Sequence, residues 1–343
     1  MYASDAAHRQ RDFGRIYPPR LAWLAAQAPE PILEPDLAIV DPHFHFIDRP
    51  GFRYRADELS ADLDSGHRVE ATVYQELPIA YRTIGPVAMR PVGETEFVIR
   101  ETTGLARLAT GIVGYADLML GAAVEDVLGA HVDAGSGRLK GIRYVTALDS
   151  NSAIDVHHRT RPSVMRETTF HDAIRVLEKM DLSLDAFVFF HQLPEVTALA
   201  RAHPGLNLIV GHCGGPLGYG PYAGQQREVF AQWRTHMTAL AECPNVSIKL
   251  AVVLTRLAAQ DYLNSKAPAS SETLAACMRP YIETCIELFG AERCMFEGNF
   301  PIEKMVTGYA ALWNAFKRIT ADATPTEKRL LYSGTAKRVY RIA

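Results

Sequence analysis

The 343-residue sequence is poor in cysteine, in blocks of like charge and in long hydrophobic runs. Its five cysteines are odd in number and widely spaced and include no CxxC pair, so reduced thiols in a cytoplasmic protein are expected. The net charge of −3 is spread along the chain, which argues against nucleic acid as a partner. No apolar run approaches the roughly 20 residues that span a bilayer, and no signal peptide is recognised. These absences leave a small molecule as the expected partner, with a homo-oligomer open.

Short apolar runs that alternate with longer amphipathic stretches are the main regular feature of the chain. Eight strand-then-helix units of this kind predict an α/β fold, a closed parallel (β/α)8 TIM barrel. An open doubly wound sheet is the alternative, but its first strand usually leads into a glycine-rich phosphate loop, and here the first run ends in His-Phe-His. The eight runs are residues 38–46, 69–76, 109–118, 139–147, 182–191, 206–214, 245–253 and 293–301.

Composition divides the chain into two parts. Residues 1–36 are rich in proline, arginine and alanine, and we expect them to form an N-terminal arm packed on a single barrel domain of residues 37–343. Two long loops, at about 148–168 and about 214–228, follow the fourth and sixth runs. Both would lie at the C-terminal face of the barrel, where barrel active sites are built.

Histidines end three of the predicted strands. His43 and His45 are two residues apart at the end of the first strand, so both rings point to the same side and can bind a divalent metal. His191 ends the fifth run and His212 lies near the end of the sixth. An HxH pair alone is a weak signal, because two hydrogen-bonded surface histidines have the same spacing. Four of the 12 histidines at the strand ends of one barrel nevertheless indicate a functional site.

Seven motifs together resemble the amidohydrolase superfamily, specifically its amidohydrolase-2 branch, over residues 36–343. They are DPHFHF, KGIRY, FFHQLPEVTALARAHP, GHCGGPLG, VSIKL, RCMFEGNFP and SGTAKRVYRI. The branch includes lactonases for sugar acids and for 2-pyrone-4,6-dicarboxylate, and metal-dependent decarboxylases. The resemblance implies catalytic histidines at His43, His45, His191 and His212, and an acid from strand eight. It also implies a divalent metal, zinc first, on His43, His45 and His191, while metal-free members make an empty site an equal alternative.

The eighth run, RCMFEGNFP, departs from this resemblance at Asn299. The branch usually has aspartate there, which binds the metal or activates water. An amide has no negative charge and no useful basicity, so Asn299 is expected to donate a hydrogen bond to substrate or water. Glu297 lies on the same side by period-two alternation. It is either a structural ion-pair partner of Lys249 or Arg143, or a displaced base or metal ligand.

Polar residues at other strand ends are candidates for substrate binding. Arg143, at the end of strand four, suits bidentate binding of a carboxylate, with a salt bridge between strand ends as the alternative. Glu76, which closes strand two, and Lys249, at the end of strand seven, are further candidates for the same pocket. A hydrogen-bonded supporting role is the alternative for Glu76.

The two long loops carry weaker signals. The glycine-rich loop after strand six permits movement or tight turns, and its residues Tyr219 and Tyr222 either line the pocket or simply pack. In the loop after strand four, Asp155, His157 and His158 could also reach the site, but a solvated loop is the simpler expectation.

These features predict an enzyme that hydrolyses a small carboxylated lactone or a related cyclic ester. Water would attack the ring carbonyl, histidines or a metal held by them would polarise it, and Glu297 or a histidine would be the base. A decarboxylase or isomerase of a related acid is the second hypothesis. The third is a barrel that binds a ligand without converting it, which the loss of the strand-eight acid favours and the four histidines oppose.

Overall fold

Eight parallel strands wind into a barrel in the computed structural model, which describes residues 15–154, 160–259 and 261–342. Each barrel strand pairs with the next one along the chain, and a parallel bridge between Phe44 and Phe300 joins the last strand region to the first. The predicted (β/α)8 barrel is confirmed, with a strand inside each of the eight runs. In chain order the strands are β1 (Ile39–Phe44), β2 (Ile47–Arg49), β3 (Phe52–Tyr54), β4 (Val69–Gln75), β5 (Gly111–Gly114), β6 (Leu139–Val145), β7 (Ser183–Phe187), β8 (Leu208–Val210), β9 (Val246–Leu250) and β10 (Cys294–Phe296), of which β2 and β3 form a separate hairpin.

A helix follows every barrel strand along the chain. These eight helices are Ala56–Leu63, Val92–Glu101, Val124–Ala134, Thr168–Lys179, Leu193–Ala202, Gln226–Ala241, Ser271–Phe289 and Tyr309–Ile319. Shorter helices are Leu21–Leu24, Leu254–Leu257, Pro325–Arg329 and Thr335–Tyr340. Among the described residues, none of the helices is both long enough and apolar enough to cross a membrane.

The helices pack on the strands through large apolar side chains. Phe296 of β10 stacks on Phe316 of the helix that follows it, with ring centroids 4.6 Å apart. Trp313 in the same helix is fully buried and meets the Phe316 ring edge to face. Because helices cover the outside and side chains fill the inside, the strands are apolar on both faces, which is why they appear in the sequence as continuous runs.

The helix Thr335–Tyr340 closes the floor of the barrel, at the end opposite to the loops that follow the strands. Val339 and Tyr340 pack in one cluster with inward-facing strand residues such as Val40 and Met295. The Tyr340 hydroxyl donates a hydrogen bond to Asp185, a buried carboxylate inside the barrel. The floor is therefore joined to the barrel interior by polar as well as apolar contacts.

The described part of the predicted N-terminal arm lies along the barrel near the strand ends. Trp23 Nε1 donates to the carbonyl of Ser265 at 2.8 Å, and Gln27 Nε2 donates to the carbonyl of Ala269 at 2.9 Å. Further toward the N-terminus, the carbonyl of Ile16 accepts a hydrogen bond from Arg49. This path brings Ile16 to the rim of the pocket described next.

Candidate active site

A pocket opens beyond the C-terminal ends of the barrel strands. Its walls combine imidazole, guanidinium and amide groups with apolar side chains from the loops after most of the strands. The lining residues are Ile16, His45, Leu77, Arg143, Phe187, His212, Val253, Thr255, Arg256, Asn299 and Ile302.

Glu297 lies directly after β10 and holds two histidines beneath this pocket. Its Oε2 is 2.5 Å from Nδ1 of His43. Its Oε1 accepts the backbone N–H of His212 at 2.9 Å and lies 2.8 Å from Nδ1 of the same ring. Burial alone would raise the pKa of Glu297, but His212 and His43 hold it well below the usual range. Glu297 is therefore a buried carboxylate shared between two imidazoles.

The predicted ion pairs of Glu297 with Lys249 or Arg143 are wrong, because both cations have other partners. Lys249 Nζ lies 2.8 Å from Asp185 Oδ1 and donates to the carbonyl of Pro42 at 3.0 Å. Arg143 Nη1 donates to the backbone carbonyl of Glu76 at 3.1 Å. Glu297 contacts the buried imidazoles of His43 and His212 instead. Lys249 is 1% exposed and does not line the pocket, so its predicted substrate contact is replaced by a structural ion pair inside the barrel.

His43 and His45 face each other through their Nε2 atoms, which are 3.0 Å apart. His45 Nδ1 is 2.8 Å from the carbonyl oxygen of Gln75, which only accepts, so this nitrogen carries the ring proton. His43 Nδ1 faces the Glu297 carboxylate and carries a proton for the same reason. Burial holds the pKa of both imidazoles well below the usual range, although Glu297 raises that of His43.

Two neutral rings in these tautomers direct two Nε2 lone pairs at one another. This contact is repulsive unless a cation or an additional proton lies between the nitrogens. Nitrogen ligands of this kind suit Zn²⁺, with Glu297 orienting His43 from behind. The residues present therefore fit a divalent metal at His43 and His45. Without metal, the contact requires a proton between the two nitrogens, which burial of His43 opposes and the negative charge of Glu297 favours.

His191 does not join the other histidines. Among the described residues, the convergent group of candidate metal ligands consists of His43, His212 and Glu297, whose ligand atoms lie within 4.8 Å of one another. His191 Nε2 instead lies 3.0 Å from the carbonyl of Leu148, and the residue does not line the pocket. The reason is local: β7 ends at Phe187, and His191 follows in a 3₁₀ turn that redirects its side chain. The predicted metal role of His191 is corrected accordingly.

Asn299 is held by a buried acid that sequence reasoning missed. Its backbone N–H donates to the carbonyl of His43 at 2.8 Å, and its Nδ2 donates to Glu303 Oε1 at 2.9 Å. Burial raises the pKa of Glu303 to about 8; hydrogen bonds from Asn299 and from the N–H of Leu254 oppose this rise, and the charge of Glu297 adds to it. The only sequence signal for this pair was an acidic residue four positions after Asn299, in the loop after the eighth run.

Comparison with known proteins agrees with this geometry. Residues 40–342 match the family model described as Amidohydrolase. The chain belongs to the amidohydrolase family. The protein y4mH of Sinorhizobium fredii is 28% identical over 331 residues, which cover 90% of this chain and 99% of the relative. An L-fucono-1,5-lactonase of Burkholderia multivorans is 25% identical over 316 residues, which cover 88% of this chain and 96% of the relative.

The fold of the family is also found in solved structures. A crystal structure of an amidohydrolase from Burkholderia multivorans with bound zinc superposes with a TM-score of 0.70 at 21% identity, covering 89% of this chain and 100% of that chain. At this identity the likeness shows the shared barrel.

The pocket of this amidohydrolase has two guanidinium groups in its wall. Arg143 lies over the Phe187 ring at 5.5 Å, and Arg256 lies at 5.8 Å from the same ring and 5.2 Å from that of Phe189. The carboxyl of Glu76 is 3.5 Å from Arg143, so Glu76 supports this arginine from behind rather than lining the pocket. Arg256 was missed in the sequence because it lies in a largely apolar stretch after β9.

The predicted pocket role of Tyr222 is not supported by its position. Its hydroxyl donates to Asp149 Oδ2 at 2.7 Å, which ties the glycine-rich loop to the loop after β6. Tyr219 is the tyrosine that meets a pocket residue, since its hydroxyl oxygen lies 3.4 Å from Arg256 Nη1. The loop is packed rather than open: a Cβ atom at Gly218 would lie 1.8 Å from the carbonyl oxygen of Leu257.

The remaining loop candidates, Asp155, His157 and His158, lie outside the described residues. The four residues that do meet at the strand ends are His43, His45, His212 and Glu297, with Asn299 beside them. Together they provide a buried carboxylate, three imidazoles and an amide within one amidohydrolase barrel mouth.

Proposed function

We propose that this protein hydrolyses a small carboxylated lactone or a related cyclic ester. The observation that carries the proposal is the contact of one ionised carboxylate, Glu297, with His43 and His212 beneath a pocket that also holds two arginines. Imidazoles polarised by a carboxylate perform general acid–base chemistry, and arginines bind carboxylates. The lactonase among the relatives supports this choice of reaction over the other chemistries of the family.

The attacking water would lose its proton to His212, and the same ring would return this proton to the ring oxygen as the acyl C–O bond breaks. Glu297 Oε1 lies beside Nδ1 of this ring, so the proton on Nδ1 is stabilised and the Nε2 lone pair is available in the pocket. Glu297 itself is an unsuitable base, because it is fully buried and both of its oxygens are engaged. It acts by fixing the tautomers of the histidines.

His43 and His45 are the residues that would hold a divalent metal. When bound, such an ion acts as a Lewis acid on a carbonyl oxygen and lowers the pKa of water. In both the metal-bound and the metal-free arrangement, the protein contributes the same positioning: Gln75 fixes His45 and Glu297 fixes His43.

The carboxylate of the substrate would bind to Arg143 and Arg256. Both guanidinium groups line the pocket, where the ring of Phe187 lies within 6 Å of each. A charge-assisted bond to guanidinium is strong in a site that excludes water. The side of the pocket with Asn299 and His212 then receives the ring carbonyl and the attacking water.

A panel of lactones with and without a carboxylate tests this proposal. We expect the wild type to open the ring of at least one carboxylated lactone and to leave its uncharged analogue nearly unreacted. His212→Asn, which removes the base, should lose at least about 100-fold in kcat. An enzyme that releases carbon dioxide from related acids but opens no lactone would replace hydrolysis by decarboxylation.

A further inference from the structure

The carboxylate of Glu303 lies next to Asn299 but does not line the pocket. Both side chains are buried, with exposed fractions of 1% for Glu303 and 2% for Asn299. The pair arises locally, because the backbone N–H of Glu303 bonds the carbonyl of Asn299 across four residues. None of the roles described above, neither the base nor the carboxylate-binding groups, uses this buried acid.

Glu303 also holds a second wall of the pocket. Its Oε2 accepts the backbone N–H of Leu254 at 3.2 Å, while its Oε1 accepts the amide of Asn299 at 2.9 Å. Leu254 begins the short helix that carries Thr255 and Arg256, and both of these residues line the pocket. One carboxylate therefore joins the loop after β9 to the loop after β10, with one oxygen for each loop.

The contact with Glu303 fixes which way the Asn299 amide faces. Nδ2 of Asn299 donates to Glu303 Oε1, so the NH₂ group faces the acid and the carbonyl oxygen Oδ1 points elsewhere. Asn299 lines the pocket, and the engagement of its NH₂ group by Glu303 leaves Oδ1 as the atom that it can offer to a ligand.

We propose that Glu303 is a positioning residue of the active site, which orients Asn299 and the 254–257 segment together, and that the acid and the amide of this pair can be exchanged as a unit. The activity part of this proposal rests on the proposed function. In the exchanged variant, Asn299→Asp with Glu303→Gln, the amide at position 303 donates to the acid at position 299. Its oxygen still accepts from Leu254, so every hydrogen bond of the pair is kept.

Either substitution alone breaks the pair. Asn299→Asp brings a second buried carboxylate to 2.9 Å from the first, and two such groups cannot both be ionised. Glu303→Gln leaves one oxygen for two donors, since Leu254 N–H and the NH₂ group of Asn299 both need an acceptor. If the bond to Leu254 is kept, Asn299 must turn over and direct its NH₂ group into the pocket.

The test compares kcat and KM for the wild type, both single variants and the double variant on the carboxylated lactone. We expect each single variant to lose at least about tenfold in kcat with little change in KM, and the double variant to return to within about threefold of wild type. Glu30→Gln is the control, because Glu30 likewise accepts a backbone N–H and a side-chain donor, both from Ser271, at a site outside the pocket.

Two results would overturn the proposal: wild-type kcat in Glu303→Gln, or a double variant whose loss equals the product of the two single losses. Urea denaturation of the same proteins needs no substrate. The midpoint of unfolding should lie at a lower urea concentration in each single variant than in the wild type, and the double variant should restore it. If the wild type opens no lactone, the proposed function fails. The role of Glu303 is then tested by calorimetric binding of the same lactones, which should be lost in Glu303→Gln and regained in the double variant.

Discussion

The carboxylate of Glu297 lies 2.5 Å from Nδ1 of His43, and neither side chain has more than 2% exposure. The same carboxylate touches His212 through its other oxygen. In a low-dielectric interior, removing one partner of such a contact leaves a polar group with no compensation. The tautomers of His43 and His212 therefore depend on a single side chain, Glu297.

Glu297→Gln should lower kcat/KM by about 10- to 100-fold, the range typical of residues that orient a catalytic or metal-binding histidine. An amide has one acceptor oxygen, so it cannot accept from both His43 and His212, and His43 must change tautomer. Lactone hydrolysis by the variant and by the Glu30→Gln control measures this. Equal activity of the variant and the wild type would contradict the tautomer argument.

Metal binding should depend on His45 and be independent of His191. We expect one divalent ion per chain in protein purified without chelator, and its loss in His45→Gln, because His45 provides one of the two facing Nε2 atoms. His191→Gln is the matched control and should keep the ion, since His191 contacts Leu148 instead. Elemental analysis of the three proteins gives the answer. A metal-free wild type that still opens the lactone would assign the His43 contact to a second proton.

Arg143→Gln should raise KM for the carboxylated substrate by about tenfold or more and leave the uncharged analogue unaffected, as expected for one lost charge-assisted bond. Arg143→Lys keeps the charge but not the planar fork, so it should recover only part of the loss. Steady-state kinetics on the matched pair of substrates separates the two effects. An equal rise in KM for both substrates would mean that the arginine shapes the pocket without binding the carboxylate.

Stability should fall between about pH 6.5 and pH 4 because of His67. Burial, with the charge of Lys317, lowers the pKa of His67 from 6.5 to about 4, and Lys317 Nζ lies 3.0 Å from its Nδ1. The unfolded chain binds a proton in this window and the folded chain does not, so acid favours unfolding. The effect is on the order of 3 kcal/mol.

His67→Gln should remove this part of the pH dependence, since the amide oxygen can accept from Lys317 at every pH. Urea denaturation at pH 7 and pH 5 provides the free energies of unfolding. The difference between the two pH values should be smaller in the variant than in the wild type. Identical differences would show that His67 titrates equally in the folded and unfolded chains.

The barrel was predictable because its strands are buried on both faces and leave apolar runs that the sequence shows directly. The ends of these runs were not. Residues 182–191 form one continuous run, but β7 stops at Phe187. The run continues past the end of the strand because Phe189 and Phe190 are also buried, although the chain has already turned there. An apolar run records burial and not strand geometry, which is why His191 was expected in the site.

The candidate site was predictable as a set of residues but not as a set of contacts. Strand order brought Glu297, Lys249 and Arg143 to one barrel mouth, and it could not rank the partners of Glu297 among them. Glu303 was missed for a different reason. Asn299 has a φ of 52°, which turns the chain back on itself so that residue 303 returns to residue 299, and no pattern in the sequence announces that turn.

The barrel closes through the bridge between Phe44 and Phe300, so it cannot close until nearly the whole chain has been synthesised. His43 leaves the ribosome 254 residues before Glu297, the side chain that will hold it. A nascent chain that has reached β9 has two open sheet edges, at β1 and at β9, and no floor helix to cover the inward-facing side chains. Such a half-made barrel is prone to aggregation, because unpaired strand edges pair with other chains.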